Sequence, residues 1–91
     1  MKKQTEIVRA YLEQHFVGAE INISEVPEEH GWGYKVSCEE GQFNLLVLDE
    51  AFEGLDDEQA VSQIETFQVA DVMRNMEGFT ITVTNSGCIF R

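Results

Sequence analysis

The chain has 91 residues, 43% hydrophobic and 25% charged, with a single proline; this suits one folded domain with one core and excludes a disordered or collagen-like chain. Seventeen Asp and Glu stand against six Lys and Arg, a formal net charge of -11. Such a field repels DNA, RNA and anionic lipid, because affinity for phosphate comes from basic side chains that displace counterions.

The first element in chain order is a helix over residues 5–17, where Val8, Leu12 and Phe16 recur at i, i+4 and i+8 beside Ile7, Tyr11 and His15. Gly18 suits its left-handed stop. From Glu20 the period changes to two: Ile21 and Ile23 share one face of a strand over 20–26, which Pro27 ends. A second strand over 32–38 alternates Trp32, Tyr34, Val36 and Cys38 with Gly33, Lys35 and Ser37. Glu39 to Gln42 reads as a hairpin connection in which Gly41 supplies a positive φ. The third strand, over 42–48, carries Phe43, Leu45 and Val47 on one face, but Leu46 and Leu48 are apolar too, which marks it as central and covered on both sides.

Asp56 and Gln59 form a capping pair for a helix starting near Asp57, with Asp56, Asp57 and Glu58 at the positive end of its dipole. Ala60, Ile64 and Phe67 are its core face. Beyond Phe67 the pattern broadens to Val69, Ala70, Val72, Met73 and Met76; this fits one long helix to residue 76 or two helices broken near 66–69, and one long helix is preferred. Phe79, Ile81 and Val83 alternate with Thr80, Thr82 and Thr84 in a last strand over 79–84. Cys88 to Arg91 reads as a short tail after the Asn85-Ser86-Gly87 turn.

The order α-β-β-β-α-β predicts an α+β two-layer sandwich, a single domain over 1–91, with a mainly antiparallel sheet and both helices on one face. Its expected core is Leu12, Phe16, Ile21, Val36, Phe43, Leu45, Val47, Ile64, Phe67 and Ile81. The other sheet face is expected to show Lys35, Ser37, Thr80, Thr82 and Thr84, and any emergence of Leu46 and Leu48 there makes it a homodimer or partner surface.

The chemistry-bearing residues are few. Asp49, Glu50, Glu53, Asp56, Asp57 and Glu58 fall within ten residues, and no Lys or Arg occurs from Val36 to Met73. They lack the D-x-[DN]-x-[DN]-G-x₅-E order of a calcium loop. His15, His30, Cys38 and Cys88 do not stand at zinc-ligand spacings, so neither metal nor cofactor is expected. Cys38 and Cys88 form no C-x-x-C pair and are expected as free thiols. The nearest arrangement to a nucleophile is Ser86-Gly87-Cys88, with no histidine beside it in sequence. The longest unbroken apolar run, Leu45 to Leu48, is far below the ~20 residues of a membrane span. Lys2 and Lys3 are not followed by the apolar core of a signal peptide, so a cytoplasmic location without a membrane partner is expected.

The stretch Phe43 to Gly54 resembles the segment of BolA-like proteins in which an apolar strand runs into S-E-A-F-E-G, here Asp49-Glu50-Ala51-Phe52-Glu53-Gly54. Upstream, Val8, Leu12, Phe16, Ile21 and Ile23, followed by Glu25 and His30, are similar to that family's first helix, first strand and E-S-x-x-H loop, for a coverage of about residues 6–84. The resemblance implies the fold and a role with a protein partner. The family's basic R-H-R triplet falls here on Ala60-Val61-Ser62, and the lysine after its glycine falls on Leu55. The histidine before the last strand, implicated in sharing a [2Fe-2S] cluster with a monothiol glutaredoxin, has no counterpart in residues 76–79, and His30 alone matches the loop ligand. Cluster ligation and DNA binding are therefore not carried over.

These readings predict a non-enzymatic interaction module that meets a basic protein through Asp49, Glu50, Glu53, Asp56, Asp57 and Glu58. Two alternatives stand beside it: a nucleic-acid mimic that occupies a DNA- or RNA-binding protein, and a thiol-dependent enzyme using Cys88.

Overall fold

In the computed structural model, which describes residues 4–90, helix α1 spans Gln4–His15 and buries Ile7, Val8, Tyr11 and Leu12 along one side, as their spacing requires. The His15 ring is exposed but leans on Tyr11 one turn back, with ring centroids 4.4 Å apart. Strands β1 (Glu20–Val26), β2 (Gly31–Cys38) and β3 (Gly41–Leu48) follow as an antiparallel meander. A short 3-10 turn, Asp49–Phe52, leads to helices α2 (Asp57–Thr66) and α3 (Val69–Asn75). Strands β4 (Thr80–Thr84) and β5 (Gly87–Phe90) complete the chain.

The sheet order is β1-β2-β3-β4-β5, with β4 parallel to β3 and every other pair antiparallel. Parallel neighbours need a crossover, and here the α2–α3 segment supplies it. The fold is the expected α+β class. Tyr34, Val36, Phe43, Leu45, Val47, Ile81 and Val83 share the sheet face that meets Val8, Leu12, Phe16, Ile64, Val69 and Met73 from the helices in one buried cluster. Arg74 ties α3 across the edge of this core. Its guanidinium lies 4.5 Å from the Phe16 ring centroid, pairs with Glu40 at 3.3 Å and donates to the His15 carbonyl.

Four expectations need correction. Strand β3 is covered by helices on one side only, where Phe43, Leu45 and Val47 pack, while Leu46 and Leu48 lie half-buried on its other face. The segment 57–76 is two helices, because the chain passes through left-handed backbone at Gln68 (φ 53). On one straight helix turning about 100° per residue, Val69 and Met73 would point away from Ala60 and Ile64. The break lets both sets reach the core. Residues 87–90 are not a tail but the fifth strand, joined to β4 by a two-residue turn after the Thr84–Gly87 pair. Thr84 Oγ1 accepts from the Ser86 amide and donates to the Gly87 carbonyl, both at 3.1 Å. Finally, Ile21 and Phe67 are half-buried at the rim of the core, whereas the other eight expected core residues are buried.

Candidate functional site

Asp49 and Glu50 open the 3-10 turn, Glu53 ends it, and Asp56, Asp57 and Glu58 start α2. The turn is held by Ala51, which is buried, and by Gly54, whose φ of +80 only glycine adopts without strain. The Asp49 amide donates to the His30 carbonyl at 2.8 Å. Asp56 is a helix cap: its carboxylate accepts from the Gln59 amide at 2.8 Å, and the Gln59 side chain accepts from the Asp56 amide at 3.0 Å. That part of the acidic run therefore has a structural task.

The six acids do not form one cluster. Asp49, Glu53, Asp56 and Asp57 line a recess of about 340 Å³ whose apolar wall is Ile7, Phe52, Leu55 and Ala60. Asp57 and Glu58 line a second recess of about 270 Å³ between α1 and α2, together with Ile7, Ala10, Tyr11, Val61 and Glu65. Glu50 lines neither. A third recess, of about 340 Å³, continues past Tyr11, Gln14 and Glu65 to His15 and Asp71. Consecutive recesses share residues and run in series as a groove along α1; its apolar lining is concentrated in the first two, at Ile7, Ala10, Phe52, Leu55, Ala60 and Val61, and carboxylates line all three. No Lys or Arg is among the described residues that line it.

Sequence reasoning missed Gln4, Tyr11, Gln14, Val61, Glu65 and Asp71 as groove residues. The available signal was Val61, an apolar residue one position off the α2 core stripe and 41% exposed. Burial pushes the Tyr11 hydroxyl above its ordinary pKa, against the hydrogen bond it accepts from the Ala70 amide. The Tyr34 hydroxyl is pushed up more strongly, by burial and then by the negative charge of Asp49. It has no hydrogen-bond partner among the described residues.

The other soft or nucleophilic groups lie apart from this groove. Cys38 and Cys88 are free and half-buried, and burial raises the Cys88 thiol pKa. His30 is exposed on left-handed backbone at φ 54. Among the described residues no three His, Cys, Asp or Glu are grouped to hold a metal ion, and no helix is long and apolar enough to cross a membrane. Comparison with protein-family models, with curated proteins and with solved structures returns no match.

Proposed function

We propose that the chain is a non-enzymatic interaction domain that receives a basic, amphipathic segment of a protein partner in the groove between α1 and α2. The observation that carries this reading is the combination of an apolar floor at Ile7, Ala10 and Val61 with a rim of Asp57, Glu58 and Glu65. The floor favours the apolar face of a helix or extended segment, and the rim selects its lysines or arginines. A concave groove of this kind suits a side-chain ridge better than it suits imitation of a convex phosphate backbone, which ranks the nucleic-acid mimic lower. A thiol kept protonated by burial is a weak nucleophile, which ranks a Cys88 enzyme lower as well. The likeness to BolA-like proteins at Ala51 to Gly54 supports a partner-binding role, and those residues also have a local reason in the turn they build.

The test is fluorescence anisotropy with a labelled amphipathic Lys/Arg-rich peptide of about 12 residues, matched to the ~18 Å length of α1, and a scrambled peptide of the same charge. Binding is expected for the amphipathic order. It should weaken at least ~10-fold from about 0.05 to 0.5 M salt. Replacing Glu53, Glu58 and Glu65 together by Gln should weaken it similarly with the melting temperature preserved. Equal binding of both peptides, or binding unmoved by the triple substitution, rejects the groove.

A further inference from the structure

The helices leave the second face of the sheet open, and its composition departs from the rest of the surface. Side chains alternate along each strand, so this face carries residues 20, 22, 24 and 26 of β1, 31 to 37 odd of β2, 42 to 48 even of β3, the three threonines of β4, and Ile89 of β5. Among these described positions only Glu20 and Lys35 are charged. All but one of the chain's 17 acidic residues therefore lie off this face.

One row of paired residues crosses all five strands: Ser24, Gly33, Leu46, Thr82 and Ile89. It has a hollow at one end and a projection at the other. Gly33, with no side chain, lies in a trough of about 440 Å³ walled by Val26, Lys35 and Leu46. Ile89, three strands away, stands 47% exposed. Thr82 between them is buried, so the row has a flat centre.

We propose that this face pairs with the same face of a second copy of the chain, with each Ile89 seated over the partner copy's Gly33. A two-fold axis along the strands, between β3 and β4, turns β5 over β2 and β4 over β3. It carries the projection of each copy into the hollow of the other along the same row. Sheets stacked this way lie ~10 Å apart, close enough for an isoleucine to fill a glycine trough.

Charge permits a second copy on this face and opposes one elsewhere. Two chains of formal net charge -11 repel wherever their acids meet, and the open face is where they can approach with few charges between them. The area fits a weak, reversible dimer. Under this axis β2 to β5 of each copy overlap while β1 stays outside, and strands ~4.8 Å apart and about 15 Å long give roughly 300 Å² per copy, about 600 Å² for the pair, the size of a transient interface.

The test is sedimentation equilibrium of the full chain from about 1 to 300 μM, with a dissociation constant on the order of 100 μM expected. Ile89→Asp should weaken the dimer at least ~100-fold, through a charge in an apolar contact. Gly33→Val should weaken it ~10-fold or more by filling the trough. Within the monomer its Cβ has room, meeting nothing closer than Val26 Cγ2 at 3.4 Å, and Gly33→Ala serves as the smaller control. Both variants should keep the far-UV circular dichroism of the parent. Raising salt should tighten this dimer by screening net repulsion, the reverse of its effect on a basic peptide in the groove. A chain that stays monomeric over the whole range overturns the proposal. So does a dimer that both substitutions leave unchanged, which would point to strand-edge pairing instead.

Discussion

The hydroxyl of Tyr11 accepts a hydrogen bond from the backbone amide of Ala70 at 2.9 Å, across 59 residues of sequence. Ala70 lies in the first turn of α3, where amides have no partner within the helix, and Gln68 at the N-cap makes no side-chain cap. A tyrosine on α1 thus does for α3 what a capping residue usually does locally.

Tyr11→Phe should lower stability by ~1–2 kcal/mol, because it leaves the buried Ala70 amide unsatisfied. Tyr34→Phe should have the opposite sign. Its hydroxyl is buried without a partner among the described residues, so removing it should raise stability by about 1 kcal/mol at neutral pH. Denaturant midpoints of the two variants check the pair, and equal signs would contradict both assignments.

Alkali should destabilise the fold. The Tyr11, Tyr34 and Cys88 protons are all held above their ordinary pKa values by burial. In the unfolded chain these groups ionise near ~8.5 for the thiol and ~10 for the phenols, while the folded chain keeps the protons. Their contribution is therefore fully present below about pH 8 and falls as the pH climbs past those values. Tyr34→Phe should flatten the decline above about pH 10, and Cys88→Ala its earlier onset. Urea titrations at stepped pH read both effects.

Gly31 and Gly33 stand two residues apart on β2 and should respond differently to alanine. A Cβ on Gly31 would sit 2.6 Å from the Val47 carbonyl oxygen and 3.0 Å from Leu48 Cα, both backbone atoms that cannot turn aside. Gly31→Ala should cost about 2 kcal/mol or more by forcing β2 from β3. Gly33→Ala should lie within ~0.5 kcal/mol of the parent or above it, since strand glycine is itself unfavourable. Thermal melts of both variants decide it.

Asp56 separates structure from recognition within the acidic run. Asp56→Ala removes the cap of α2 and should cost about 1 kcal/mol, whereas Asp56→Asn keeps an acceptor and should hold most of it. If Asp56 also contributes charge to the groove, the Asn variant should bind the basic peptide less well at unchanged stability.

Strand and helix positions were legible in the residues wherever one period held. Val8 and Leu12 placed the inner side of α1, and Phe43, Leu45 and Val47 placed that of β3. The helix break at Gln68 was hidden because a broad apolar run suits either a buried helix or two helices. The phase reversal between Ile64 and Met73 is the feature that distinguishes them. Strand β5 was missed because Cys88, Ile89 and Phe90 are too short a run to show alternation, and only pairing with β4 defines it. For the groove, the acids were visible in the sequence but not their division between two recesses. That division depends on α1 lying beside α2, which brings Ile7 and Ala10 next to Asp57 and Val61.

The parallel seam between β3 and β4 joins residues 44–47 to residues 80–83, whereas β1, β2 and β3 are joined in sequence by short turns. Closing a long loop costs entropy before its contacts repay it, so the meander can assemble locally and the seam must wait for α2 and α3. Ile89 and the hollow at Gly33 lie on opposite sides of that seam. The row from Gly33 to Ile89 thus exists only in a chain in which that seam has closed, and a chain with the meander alone does not present it.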